Sequence, residues 1–174
     1  KLRVADVTHE VRKGELLGLM WSDVDRQKVS LKIERQLQNV PGNGYALVPT
    51  KTKSGRRQIK VGKGALAMLE AHHQRQETLK ASAGDRWVET GMIFTTNIGT
   101  YLDQTRVSRE FKQILRKNGL PDLRFHDLRH TSISLLLDMG TPVNTVQRRA
   151  GHSKASVTTD IYGHVMAHSQ DAAA

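Results

Sequence analysis

"HDLRHTSISLLLDMG", residues 126–140, reads as a long helix closed by Gly140. His126 and His130 stand one helical turn apart and so share a face, and Arg129, three after His126, lies on that face as well. Working outward, "TPVNTVQRRAG" (141–151) follows as a second helix, with Thr141 as N-cap, Pro142 at the first helical position and a stop at Gly151. "SKASVTTDIYGHV" (153–165) opens with a serine cap and reads as a last short helix. Upstream, "TRVSREFKQILRKNG" (105–119) sets Val107, Phe111, Ile114 and Leu115 at helical spacing, and "GALAMLEAHHQRQETLKA" (64–81) is helical with Leu66, Met68 and Leu69 inward.

The front of the chain changes period. "GELLGLMWSDVD" (14–25) begins helically and ends near Asp23, after which "KVSLKIERQL" (28–37) alternates Val29, Leu31 and Ile33 with polar neighbours, as a half-buried strand does. "YALVPT" (45–50) and "RRQIKV" (56–61) read as two further strands joined through the short turn Ser54–Gly55. "GMIFTT" (91–96) is a short strand or extended segment. The fold class is therefore α+β, mainly α, with a small three-stranded antiparallel sheet near the N-terminal side.

Composition narrows the function. Lys plus Arg number 27 against 17 Asp plus Glu, a net charge of +10 in 174 residues, and this excess suits a polyanionic partner. The absence of cysteine removes disulfides, thiolate metal sites and cysteine nucleophiles together and fits a reducing compartment. No apolar run approaches the roughly 20 residues that span a bilayer. A metal reading of His126 and His130 is weakly supported, because the zinc-protease pattern needs a glutamate after the first histidine and a third ligand, and here Asp127 follows; a metallohydrolase stays the remaining alternative. Read with Arg129 instead, His126 fits phosphoryl chemistry: a planar guanidinium suits two phosphate oxygens, and an imidazole exchanges a proton near neutral pH.

Other places extend that pattern. Arg12 precedes Gly14–Glu15 at a helix start, Lys53 precedes the Ser54–Gly55 turn, His152 follows a helix stop and Tyr162 comes ten residues later. The order Arg12, Lys53, His126-x-x-Arg129, His152, Tyr162 resembles the tyrosine recombinase (phage integrase) family, over roughly residues 10–166. The resemblance implies a catalytic domain spanning 1–166 and a mobile tail over 167–174, and further helices ahead of Arg12 than the eleven residues this sequence has there. It implies site-specific DNA strand cleavage and rejoining, with Tyr162 as nucleophile, Arg12 and Arg129 on the non-bridging phosphate oxygens, and Lys53 protonating the departing 5′-oxygen in preference to Lys51. His126 would assist proton transfer, His152 would hydrogen-bond the phosphate, and Glu15 would orient the site. Arg56, Arg57 and Lys60 are expected along a DNA groove. No metal or other cofactor is implied. The expected partner is double-stranded DNA, bound as a tetramer of chains that are monomeric when free, with no membrane partner and a cytoplasmic location in a bacterial cell or phage-infected host. The rival functions are a type IB topoisomerase-like strand transferase and a catalytically silent DNA-binding regulator. His130 has no chemical role in this scheme.

Overall fold

The computed structural model describes residues 11–50 and 53–151. Helix α1 (Lys13–Leu17) stops at Gly18, earlier than the sequence pattern predicts, and Trp21–Asp23 forms a separate 3₁₀ turn. Asp23 is the cause. Its Oδ2 accepts from the Met20 backbone N at 2.8 Å and from Arg35 Nη1 at 2.6 Å, which folds the chain back on itself.

The predicted strand over 28–37 is two strands in two sheets. β1 (Val24–Asp25), β2 (Ser30–Ile33) and β5 (Arg57–Lys60) form a three-stranded antiparallel sheet with β2 in the middle. β3 (Arg35–Val40) and β4 (Gly44–Pro49) form a hairpin of their own. The break has a steric origin. Leu31 and Ile33 are buried in the first sheet, but at Gln36 and Leu37 the backbone crosses directly over α1. Gly14 and Gly18, one helical turn apart, make room for it: a Cβ on Gly18 would lie 2.9 Å from Gln36 Cα, and one on Gly14 3.1 Å from the Leu37 carbonyl oxygen.

The predicted pairing of 45–50 with 56–61 does not form either. The turn at 41–43 returns β4 onto β3 first, and β5 takes the open edge of β2, with Leu31 opposite Ile59. Ser54 and Gly55 belong to a 3₁₀ turn, Lys53–Gly55, that leads into β5. The segment 91–96 bends at Ile93 and Phe94 between two isolated bridges, Met20 to Met92 and Thr95 to Tyr101, and is not a strand.

The helices follow the sequence closely: α2 (Lys63–Ala83), α3 (Gln104–Lys117), α4 (Asp127–Asp138) and α5 (Val143–Ala150). α5 is capped at Pro142 and begins one residue later than its Pro-at-N1 pattern suggests. Leu16, Leu19, Leu31, Ile33, Ile59, Leu69 and Ile93 form a core that joins α1, the sheet and α2. Ile133, Leu137, Val146 and Ala150 form a second core between α4 and α5. Trp21, at the rim of the first core, donates from Nε1 to Gln76 Oε1 at 2.6 Å and meets His73 edge-on, so the tryptophan and the α2 histidines are packing groups here. The result is a mainly helical unit with a small antiparallel sheet near its front. Among the described residues no helix is long and apolar enough to cross a membrane.

Because Gly18 faces backbone atoms that have no side chain to move aside, Gly18→Ala is expected to destabilise the fold by about 1–3 kcal/mol. A lowered chemical-denaturation midpoint with an unchanged slope would show it, whereas wild-type stability would mean that β3 does not cross α1 at this distance.

Candidate active site

Glu15 is 2% exposed, and a carboxylate buried to that extent is retained only when its oxygens are paired. It sits in the first turn of α1, where the helix dipole favours an anion. Its Oε2 accepts from the backbone N of Arg12 at 2.9 Å and its Oε1 from Arg12 Nη1 at 2.8 Å. From the sheet, Arg57 reaches the same carboxylate, with Nη2 2.9 Å from Oε2 and Nη1 3.3 Å from Oε1. Burial pushes the Glu15 carboxyl up, but the hydrogen bonds and charge of Arg57, together with those of Arg12, outweigh it and hold the group below its ordinary value.

The two arginines continue past Glu15 to the end of α5. Gly151 closes that helix in the left-handed conformation (φ 67°, ψ 38°), and the last carbonyls of a helix lack intrahelical donors. Each of three successive carbonyls is met by a different guanidinium. Arg57 Nε donates to the Arg149 oxygen at 2.6 Å, Arg129 Nη2 donates to the Ala150 oxygen, and Arg12 Nη2 donates to the Gly151 oxygen at 3.3 Å. Arg129, on the first turns of α4, is 3% exposed, whereas the Arg12 side chain is 41% exposed and open to a ligand.

His126 caps α4 at the edge of this group, with its ring edge-on to His130 at 4.7 Å between centroids. It keeps a solvent-facing edge, yet crowding by neighbouring atoms lowers its imidazole below the usual value, and the charges of His130, Arg129 and Arg12 lower it further against a smaller opposing effect of Asp127. His126 thus opens the helix that carries the buried Arg129. No third ligating side chain joins His126 and His130 in a metal-sized cluster among the described residues.

The turn Lys53–Gly55 lies against the same helix end. A Cβ on Gly151 would come within 2.9 Å of both the Ser54 carbonyl oxygen and Arg57 Nη1, so glycine is required there for its φ and for the close approach. Of Lys53 the structure describes the backbone, at the start of this turn. Arg56 and Lys60 are exposed, and Arg56 borders a groove of about 560 Å³ with Asn144, Gln147 and Arg148. Arg57 departs from the expectation that it faces DNA: its side chain is 6% exposed and turned inward onto Glu15 and the Arg149 carbonyl. The period of a strand explains the difference, since Arg57 shares a face with the buried Ile59 while Gln58 and Lys60 take the other, and Arg56 stands exposed in the bend before the strand. That alternation was the signal available in the sequence for the inward role of Arg57. His152, Tyr162, the helix predicted over 153–165 and the tail 167–174 lie outside the described residues.

The exposed Arg12 guanidinium, held by Glu15 beside Arg129 at the end of α5 and braced by the inward Arg57, forms a cationic site suited to a phosphodiester. The chain matches the model of the phage integrase family over residues 6–168 and belongs to that family. It is 36% identical over 167 residues to a "Tyrosine recombinase XerC-like" protein of Caldanaerobacter subterraneus subsp. tengcongensis, a match covering 90% of this chain and 43% of that one. It is 30% identical over 160 residues to the ICEBs1 integrase of Bacillus subtilis, covering 92% of this chain and 43% of that one. The chain thus spans about two fifths of the length of the curated relatives it matches. Among solved structures, the Tn1549 transposon integrase in complex with transposon right end DNA superimposes with a TM-score of 0.78 at 22% identity, over 98% of this chain and 57% of that one. XerA recombinase superimposes with a TM-score of 0.68 at 21% identity, over 88% of this chain and 48% of that one, and both likenesses bear on the fold.

Glu15→Gln removes the charge that two guanidiniums share and is expected to lower stability at neutral pH by about 3 kcal/mol, the low end for leaving buried charge unpaired. A carboxyl held below its ordinary value contributes stability that is present above the unfolded value near 4.3 and is lost as pH falls through the folded value. The stability gap between the two proteins should therefore begin to close as pH falls below the unfolded value near 4.3 and vanish only below the folded value. A gap that stays constant into acid would mean that Glu15 is not ionised in the fold.

Proposed function

We propose that this chain is the catalytic part of a site-specific DNA recombinase that cleaves and rejoins strands through a 3′-phosphotyrosyl intermediate. The observation that carries the reading is the convergence of Arg12 and Arg129 on successive carbonyls at the end of α5, one peptide bond ahead of His152 in the sequence, with His126 at the start of the helix that carries Arg129. The family relatives named as recombinases and integrases support the same activity.

In the reaction, the phenolic oxygen of Tyr162 attacks the scissile phosphorus and the bond from phosphorus to the 5′-oxygen breaks. The phenolic proton passes to His126, whose lowered pKa leaves it neutral and able to accept at pH 7. Lys53 gives a proton to the departing 5′-oxygen. Arg12 and Arg129 hold the non-bridging oxygens as charge builds on them, and His152 adds a hydrogen bond. The phosphotyrosyl bond conserves the energy of the broken phosphodiester, so the 5′-hydroxyl of a second strand restores a phosphodiester and frees Tyr162 without ATP. The residues themselves supply the positive charge. The other tyrosines are less suited to attack. Tyr45 Oη donates to Asp103 Oδ2 at 2.9 Å and accepts from the Gln104 backbone N at 3.1 Å, and Tyr101 stands on the segment that bridges to Thr95, with no hydrogen bond to the arginine site among the described residues.

The catalytic unit spans residues 1–166 with 167–174 as a tail, and it acts on double-stranded DNA as a tetramer on paired sites, assembling from monomers in the cytoplasm. Exposed Arg56 and Lys60 lie along the DNA path, where phosphate contacts give position more than sequence preference.

A nicked suicide duplex carrying the junction sequence of the encoding element should trap a covalent protein–DNA adduct. Tyr162→Phe should abolish the adduct while leaving DNA affinity within about twofold. The rate of adduct formation should fall as pH drops through an inflection lying below the ordinary histidine value of about 6.5, and His126→Asn should remove that inflection. A Tyr162→Phe protein that still forms the adduct contradicts the reading.

A further inference from the structure

Arg57 is not in the set of residues assigned to the reaction, and its surroundings are unlike those of a DNA-contacting side chain. Its guanidinium links three parts of the site that the chain supplies from different regions. It donates to both oxygens of Glu15 on α1, to the Arg149 carbonyl at the end of α5 at 2.6 Å, and to the Gly55 carbonyl at 2.9 Å in the turn that begins at Lys53. The carboxylate it holds is the one that orients Arg12, and Glu15 Oε1 accepts from both guanidiniums. The same turn is pressed onto Gly151, where the Ser54 carbonyl leaves no space for a Cβ.

We propose that Arg57 is a positioning residue that fixes the Lys53 turn against the arginine-lined phosphate site, so that leaving-group protonation depends on it. The inference rests on the recombinase reading above, in which Lys53 is the proton donor to the 5′-oxygen. The geometry calls for arginine specifically. Only a planar fork with a third donor at Nε reaches the carboxylate with its two terminal nitrogens and the Arg149 carbonyl with Nε at once. A lysine keeps the charge at one point and lets the turn drift from the helix end. Drift of about an ångström between a proton donor and the leaving oxygen is enough to slow a reaction by on the order of a hundredfold.

The test uses the whole chain with Arg57→Lys, on two nicked duplexes that differ in one atom. One carries the ordinary 5′-oxygen at the scissile bond, and the other a bridging 5′-sulfur. In both, Tyr162 attacks phosphorus and the bond from phosphorus to the 5′-atom breaks. A sulfur leaves as the thiolate, whose conjugate acid has a pKa near 8.5, and needs no proton donor. With the oxygen substrate, Arg57→Lys should slow adduct formation by about 10- to 100-fold while DNA affinity stays within about threefold. With the sulfur substrate, its rate should return to within about threefold of the wild-type rate on that substrate. Glu15→Gln, which loosens Arg12 on the phosphate, should remain slow on both. Native rates for Arg57→Lys on the oxygen substrate would overturn the proposal, as would equal slowing on both substrates, which marks general loosening of the site. A loss of affinity matching the loss of rate would instead make Arg57 a DNA contact and also overturn it. Absence of an adduct from the wild-type chain would defeat the recombinase reading, a result separate from any difference between wild type and Arg57→Lys.

Discussion

The end of helix α5 is the constraint on which the site depends. Three consecutive carbonyls, at Arg149, Ala150 and Gly151, stand at the C-terminal end of the helix, where intrahelical donors run out, and the helix dipole makes that end negative. Each accepts from a different arginine, so one structural need, satisfying the orphan carbonyls, gathers cations from three distant segments. Glu15 supplies a buried negative charge to two of them, which offsets part of the repulsion among like charges held close together. The cationic cluster is thus assembled by acceptors internal to the protein, before any ligand arrives.

The arrangement is long-range in sequence and hence dependent on the whole fold. Arg12 and Gly151 are 139 residues apart, and Arg57 and Arg149 are 92 apart. What brings them together is ordinary packing: Gly14 and Gly18 admit β3 across α1, β2 holds β5 at its edge, and Val146 and Ala150 seat α5 on Ile133 and Leu137 of α4. Precision at the site is inherited from those contacts. A buried arginine or glutamate in this setting is costly unless it is fully hydrogen-bonded, so the network tolerates few substitutions.

The helices were legible from the sequence because their apolar spacing and end signals agree: α3 has Val107, Phe111 and Leu115 on one side, and α5 ends at a glycine that has to be left-handed. Arg129 three after His126 was legible for the same reason. The sheet was misread where local pattern and tertiary geometry conflict. The apolar alternation of Val29, Leu31 and Ile33 is interrupted only at Arg35 and returns at Leu37, so the stretch reads as one strand, but the close approach of β3 to α1, which Gly14 and Gly18 make room for, divides it. Arg57 looked like one member of a basic run. Its inward orientation followed from the alternation through Ile59, but its partner Glu15 is 42 residues away and no local pattern names it.

The proposed cleavage ends in a covalent bond between DNA and Tyr162. The chain has three tyrosines, at 45, 101 and 162, so the attachment point can be read directly. Protease digestion of the trapped adduct followed by mass spectrometry should place the nucleotide remnant on the peptide that contains Tyr162, with phosphotyrosine fragmentation. A remnant on Tyr45, Tyr101 or a hydroxyl of serine or threonine would contradict the account.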